Sequence, residues 1–262
     1  MRLNVGGEEI YAYTGARSFI AAQPSLVFVH GAAHDHSVWA LQSRYFAHHG
    51  YNVLAVDLPG HGRSTGAPLP SVEAIAQWLP RVLDAAFVSA ATLIGHSMGA
   101  LAVLDCAARF PDRISRMALL GPAVPMPVSD ELLAAAKADD HLAFELINGW
   151  SHSAGKQLGG NQVPGVWMTG AAMRLLERSR PGALYTDLNA CRGYVDGLGA
   201  AAQVRCPVLV ILGARDIMAP PKAAQPMLDA LADKRVQMLP NTGHAMMAEQ
   251  PDAVLDALRV FV

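Results

Sequence analysis

The sequence predicts an α/β fold: a mostly parallel central sheet flanked by helices, with an inserted helical cap. Three observations predict it. Short continuous apolar runs recur along the chain, longer amphipathic stretches separate them, and between about residues 125 and 196 the pattern turns helical only. Continuous rather than alternating apolar runs suit strands covered on both faces. Their alternation with helices suits an open sheet with right-handed crossovers.

Leu3 to Val5 and Ile10 to Tyr13, split by Gly6-Gly7, read as an antiparallel hairpin at a sheet edge. Leu26 to Val29, Val53 to Val56, Ala91 to Ile94, Met117 to Leu120, Val208 to Leu212 and Val236 to Leu239 read as buried strands. Val72 to Phe87 reads as a helix that Pro80 should kink or interrupt. Met98 to Phe110 is a second helix, stopped by Pro111; Pro221 to Leu231 and Ala248 to Phe261 are two more. Inside the insertion, Glu131 to Ile147, Val166 to Ser179 and Leu184 to Val195 are helical, and Gly149 to Gly165 is loop. The expected organisation is a core of 1–124 and 197–262, with a cap of 125–196 between its halves.

Of the 262 residues, 52% are hydrophobic and 16% charged, enough apolar material for a large core. A net charge of −2 and the lack of a basic run argue against a nucleic-acid partner. The first residues carry Glu8-Glu9 and lack the apolar segment of a signal peptide. No stretch is long and apolar enough to suggest a membrane span. Cys106, Cys191 and Cys206 fit reduced thiols of a cytoplasmic protein, and lack zinc-site spacing. The expected partner is a small-molecule substrate, and the chain is expected to be a monomer or homodimer.

Gly95-His96-Ser97-Met98-Gly99 follows a strand and opens a helix. This is the strand–turn–helix context in which G-x-S-x-G exposes a nucleophilic serine. The helix start supplies free N–H groups for a developing oxyanion. His30-Gly31-Ala32 ends the first buried strand at the sheet edge where ligands bind. The N–H groups of Ala32 and Met98 are therefore the candidate oxyanion donors, and His30 reads as a brace. Asp216 and His244 each follow a strand, in the chain order Ser, Asp, His. His244 would take the Ser97 proton, and Asp216 would orient the imidazole. Alone, Asp216 reads as a loop cap and His244 as a turn residue; the ordered set argues for chemistry.

Together with Asp57-Leu58-Pro59-Gly60-His61-Gly62-Arg63-Ser64, Trp39, Pro220, Glu249 and Pro251, these segments resemble the α/β-hydrolase family. The resemblance is to its capped esterase, lipase and C–C-bond hydrolase branch, and leaves only the cap unmatched. It implies the same triad, no metal and no organic cofactor, and a supporting role for the Asp57–Ser64 loop. Serine at the elbow argues against the dehalogenase and epoxide hydrolase branches, which are similar but carry aspartate there. Leu120 to Ala123 offers no carboxylate, which favours Asp216 as the acid.

The expected activity is cleavage of a carboxylic ester of a small, largely apolar substrate. The alternatives are a cofactor-free C–C hydrolase, a lactonase or perhydrolase, and a non-catalytic small-molecule receptor. His34 and His36 are expected at the pocket mouth rather than in a metal site. Trp150, Trp167, Met168 and Met246 either line an apolar pocket or pack the core. Asn189, Arg192 and Arg174 either hold an acidic substrate or lie on helix surfaces.

Overall fold

In the computed structural model, which describes residues 1–21, 23–160 and 165–262, eight strands form one sheet in the order β1-β2-β4-β3-β5-β6-β7-β8. β1 (Arg2–Val5) and β2 (Glu8–Tyr13) make the expected hairpin, and β2 also pairs antiparallel with β4. All remaining pairings are parallel. In β3 (Ser25–Val29), Val27 and Val29 enter one core layer while Leu26 and Phe28 enter the other. Burial on both faces is the reason the run is apolar without alternation.

A 3₁₀ turn (His36–Trp39) leads into α1 (Ala40–Ala47), and β4 (Asn52–Val56) follows. α2 (Val72–Ala85) contains Pro80 without a break, so of the kink or interruption expected there the interruption does not occur. Proline removes one helical hydrogen bond, but Val72, Ile75, Ala76, Leu79, Val82 and Leu83 are buried along one stripe and hold the helix in place. Next come β5 (Ala91–His96), α3 (Met98–Arg109) and β6 (Ile114–Leu120).

Between β6 and β7 lies the helical insertion: α4 (Asp130–Lys137), α5 (His141–Ser151), α6 (Ala154–Gln157), α7 (Met168–Leu176) and α8 (Ala183–Gly193). The single helix expected from Glu131 to Ile147 is split. Asp139 takes φ 51° and Asp140 caps α5 by accepting the Leu142 N–H. Two short helices then share one apolar layer with Ala33 of the sheet loops. Residues 161–164 of the expected loop lie outside the described residues.

α9 (Gly197–Gln203), β7 (Val208–Gly213), α10 (Pro221–Ala230) and β8 (Lys234–Leu239) return the chain to the core. The last expected helix is two, α11 (Met246–Glu249) and α12 (Pro251–Phe261). Gln250, at φ −139°, is pushed out of the helical region by the proline that starts α12. α2, α3, α9 and α10 cover one face of the sheet; α1 and α12 cover the other. Among the described residues no helix is long and apolar enough to cross a membrane. The three cysteines are unpaired.

Candidate active site

β5 ends in a sharp turn. Ser97, the residue between β5 and α3, sits at φ 54° and ψ −119°, a conformation unfavourable for a residue with a Cβ. It is held because its N–H donates to the Leu120 carbonyl at 2.9 Å and its own carbonyl accepts from Ala100 at 2.8 Å. Gly95 and Gly99 make the turn possible. A Cβ on Gly95 would strike the Gly99 carbonyl, and one on Gly99 would strike the Val29 carbonyl. The helix therefore starts against β3 with the half-buried Ser97 at its head. Met98, buried in first position, has no carbonyl one turn back to receive its N–H.

Asp216 and His244 follow β7 and β8. Asp216 Oδ2 and His244 Nδ1 are 2.7 Å apart, both side chains buried. The other oxygen, Oδ1, accepts from the N–H groups of Met218 at 2.9 Å and Ala219 at 2.8 Å. The carboxylate thus has one free direction of approach, and the imidazole fills it. His244 Nε2 is buried with no hydrogen-bond partner among the described residues. Its hydrogen bond to Ser97 is not formed here, although both residues line one cavity. Such bonds are often open before substrate arrives.

The His244 loop is fixed from two sides. His96 Nε2 and the His244 carbonyl are 2.9 Å apart, so that nitrogen carries the proton. From the insertion, the Ser151 carbonyl accepts the Ala245 N–H at 2.8 Å. Buried Glu249 gathers the Ser153 N–H (2.9 Å), the Ser153 hydroxyl (2.7 Å) and the Gly243 N–H (3.1 Å).

The loop after β3 turns over Gly31–His34, closed by the His34 N–H to the Gly31 carbonyl at 3.3 Å. Ala33, its third residue, has φ 55°. His30 braces it: Nδ1 lies 2.8 Å from the Gly31 carbonyl, and Nε2 accepts the Leu58 N–H at 3.1 Å. An acceptor at one nitrogen and a donor at the other require the neutral ring. Burial, with His61 nearby, pushes its pKa down to about 4. Burial also lowers His34 to about 4 and takes His96 well below its ordinary value, in each case with neighbouring histidines adding to the shift.

Asp35, His36 and Asp57 hold the one group of metal-ligating atoms within 4.8 Å of each other among the described residues. Its oxygens are engaged. Asp57 accepts from the His36 N–H (2.7 Å), His36 Nδ1 (2.8 Å) and the Arg63 N–H (2.8 Å), and Asp35 accepts from Ser37. Burial alone would raise the Asp57 carboxyl, but these hydrogen bonds hold it below its usual value. The cluster is tied up in bracing the Asp57–Ser64 loop.

A cavity of about 310 Å³ opens beside Ser97, walled by Ala32, His34, His96, Ile217 and His244 from the core and by Leu132, Ile147, Trp150 and Leu188 from the insertion. A second cavity of about 500 Å³ adjoins it across His34, His96, Ile147 and Ser151. Of the residues singled out from sequence, Ser97, His244, Ala32, His34 and Trp150 line the first cavity, and Met168 and Arg174 the second. The others fall elsewhere. Trp167 is 77% exposed, at the start of α7. Asn189 and Arg192 are exposed, Arg192 pairing with Asp130 at 2.6 Å. Met246 is packed in the core, and His36 is spent on Asp57.

Sequence reasoning missed Asp187 in α8. It is 1% exposed, and its Oδ2 lies 2.8 Å from both the Ala33 nitrogen and His61 Nε2. The available signal was an acid on the helix face that also carries Leu184, Leu188 and Cys191, all buried.

A family model described as the alpha/beta hydrolase family matches residues 26–257. The pimeloyl-[acyl-carrier protein] methyl ester esterase of Aromatoleum aromaticum is 32% identical, over 88% of this chain and 94% of its own. The (E)-2-((N-methylformamido)methylene)succinate hydrolase of Acinetobacter baylyi is 24% identical, over 90% and 89%. Among solved structures, the enol-lactonase of Burkholderia xenovorans has a similar fold, with a TM-score of 0.88 at 23% identity over 100% of this chain and 99% of its own.

Proposed function

The chain belongs to the alpha/beta hydrolase family and is a hydrolase; on that premise we propose that it cleaves carboxylic esters of small, largely apolar substrates through an acyl-enzyme on Ser97. The carrying observation is the shared cavity. Ser97 faces it at the head of α3, and so does His244, whose far nitrogen is tied to Asp216 at 2.7 Å.

In this reading Ser97 Oγ attacks the ester carbonyl carbon and its proton passes to His244 Nε2. The carbonyl oxygen, now an oxyanion, accepts the N–H groups of Ala32 and Met98. The C–O bond to the alcohol breaks, and the departing oxygen takes the proton from His244. Water then adds to the acyl carbon by the same route, giving up its proton to His244, and the acid leaves as Ser97 recovers its own. Asp216 faces the imidazolium throughout. His30 and His96, kept neutral by burial, leave His244 as the ring that gains charge.

The insertion acts as the cap in this reading, closing an apolar wall over the serine. The first cavity, about 310 Å³, is at the small end for ligand sites and suits one short arm of the ester; the larger cavity suits a longer one. The C–C hydrolase alternative needs polar cap groups for an acidic substrate. Asn189 and Arg192 are exposed outside both cavities, and Arg174, at the edge of the larger one, is exposed and paired with Glu177 at 2.7 Å, which supports the ester reading instead. Unpaired cysteines suit a reducing, cytoplasmic setting, which is part of the same proposal.

The test is hydrolysis of p-nitrophenyl esters from acetate to long acyl chains by the wild type and Ser97→Ala. The expected result is turnover with a defined length preference that falls on the order of 10⁴-fold or more in the variant. Equal turnover by both proteins would refute the serine mechanism.

A further inference from the structure

We propose that Asp187, carried by the cap, is a positioning residue for the oxyanion loop of the core. The inference rests on the serine hydrolase reading above and goes beyond it. It makes one side of the catalytic machinery depend on a side chain about ninety positions from the serine, on a helix whose visible task is to wall the substrate cavity.

The Gly31–His34 turn has Ala33 at its third position with φ 55°, while Ala32 keeps a negative φ. That is the backbone pattern of a type II turn, which calls for glycine or asparagine at the third position. Alanine there is strained, and the strain persists only where the surroundings over-determine it. Two contacts do so. From the core, His30 holds the Gly31 carbonyl, and with it the Gly31–Ala32 peptide whose N–H is the proposed oxyanion donor. From the cap, Asp187 holds the next peptide by accepting the Ala33 N–H at 2.8 Å. Rotating the Ala32–Ala33 peptide would relieve Ala33 by returning it to negative φ. It would also swing the Ala33 N–H away from Asp187 and bring the Ala32 carbonyl toward the carboxylate, oxygen against oxygen. The carboxylate therefore selects the strained form of the turn.

Asp187 is itself fixed. His61, from the loop after β4, reaches the same carboxylate oxygen at 2.8 Å through Nε2, while its Nδ1 lies 2.9 Å from the Pro59 carbonyl. Both ring nitrogens face oxygens, which favours the doubly protonated ring and a buried ion pair across the cap–core boundary. On the same helix Leu188 and Cys191 line the cavity. The element that touches substrate is thus the one that sets the oxyanion loop.

The experiment compares wild type, Asp187→Ala and Asp187→Asn on the preferred p-nitrophenyl ester, with active sites counted by fluorophosphonate titration. For Asp187→Ala the expected kcat per titrated site is about ten- to a hundred-fold lower, with KM within about three-fold, because the loss falls on the transition state. Binding of an alkyl trifluoromethyl ketone, which forms an oxyanion on the serine, weakens in parallel with kcat/KM. Asp187→Asn keeps an oxygen for the Ala33 N–H and recovers most of the rate, and it serves alone should the alanine variant fail to fold. A normal kcat per site in Asp187→Ala, or in its absence a hundred-fold loss in Asp187→Asn, overturns the proposal. So does a fall in thermal stability with kcat per site and ketone affinity unchanged. A wild type that neither hydrolyses the esters nor reacts with the fluorophosphonate contradicts the serine reading itself, and the inference with it.

Discussion

The sheet core and the helical insertion meet at the Gly31–His34 loop, beside two histidines, His30 and His61, whose rings lie 5.1 Å apart and whose pKa values are shifted in opposite directions. His30 belongs to the core side. It accepts from one backbone group, donates to another, and stays neutral. His61 faces the insertion, at Asp187 of α8. Burial alone would lower its pKa, but the Asp187 charge and hydrogen bond outweigh that and raise it. The difference teaches that similar burial shifts two neighbouring rings in opposite directions when only one of them is hydrogen-bonded to a carboxylate. Buried carboxylates also tie the insertion to the core, Asp187 through Ala33 and His61 and Glu249 through Ser153, beside the hydrogen bond from the Ala245 N–H to the Ser151 carbonyl.

Acid separates the two regions most strongly. The unfolded chain takes up a proton at a histidine below about pH 6.5, whereas folded His30 resists it until about 4. The cost to stability is absent above 6.5, grows as pH falls, and is complete below 4, where it amounts to about 3 kcal/mol. His30→Asn, which can keep the hydrogen bond made at the Nδ1 position without titrating, is expected to reduce the fall in stability over that window by about this amount in denaturant titrations. An unchanged fall would show that His30 is not held neutral.

Ser153→Ala tests the insertion's second tie. It removes the hydroxyl donor to buried Glu249 and is expected to cost about 1–3 kcal/mol at neutral pH. A change within a few tenths of a kcal/mol would mean that the Ser153 hydroxyl adds nothing to the tie that the Ser153 N–H already makes with Glu249. Alkali gives the smallest effect and the opposite sign to acid. The contribution of the His61–Asp187 pair is fully present below pH 6.5 and is lost as pH rises through the raised His61 value. His61→Gln should flatten that alkaline decline while leaving the acid limb in place. An identical alkaline limb in both proteins would place the proton elsewhere.

What was legible in the sequence divides along the same boundary. The strands β3 to β5 and β7 are legible because each is a local apolar run buried on both faces, and the elbow because its glycines and serine lie within five residues; β8 is an edge strand exposed from Lys234 to Met238, against the burial expected of Val236 to Leu239. Asp216 and His244 are legible because each follows the end of a strand, β7 and β8 respectively, within a few residues. The helical insertion lacks these signals. Its first helix breaks at Asp139–Asp140, where a left-handed residue and a side-chain cap outweigh a continuous helical pattern. Trp167 has the composition of a pocket residue but is exposed, since pattern alone does not say which face of a short helix meets the core. Asp187 acts on Ala33, and no local pattern joins positions so far apart. Pro80 shows the converse, a local breaker that does not end α2 because the buried stripe on either side of it is continuous.

The account stands most directly on a covalent bond to one serine. The measurement is intact-protein mass after exposure to an alkyl fluorophosphonate, followed by peptide mapping, in the wild type and Ser97→Ala. The account predicts one adduct per chain, on the peptide that carries Ser97, and none in the variant. Ester turnover by a wild type that takes up no adduct, or takes it up at another residue, would contradict it.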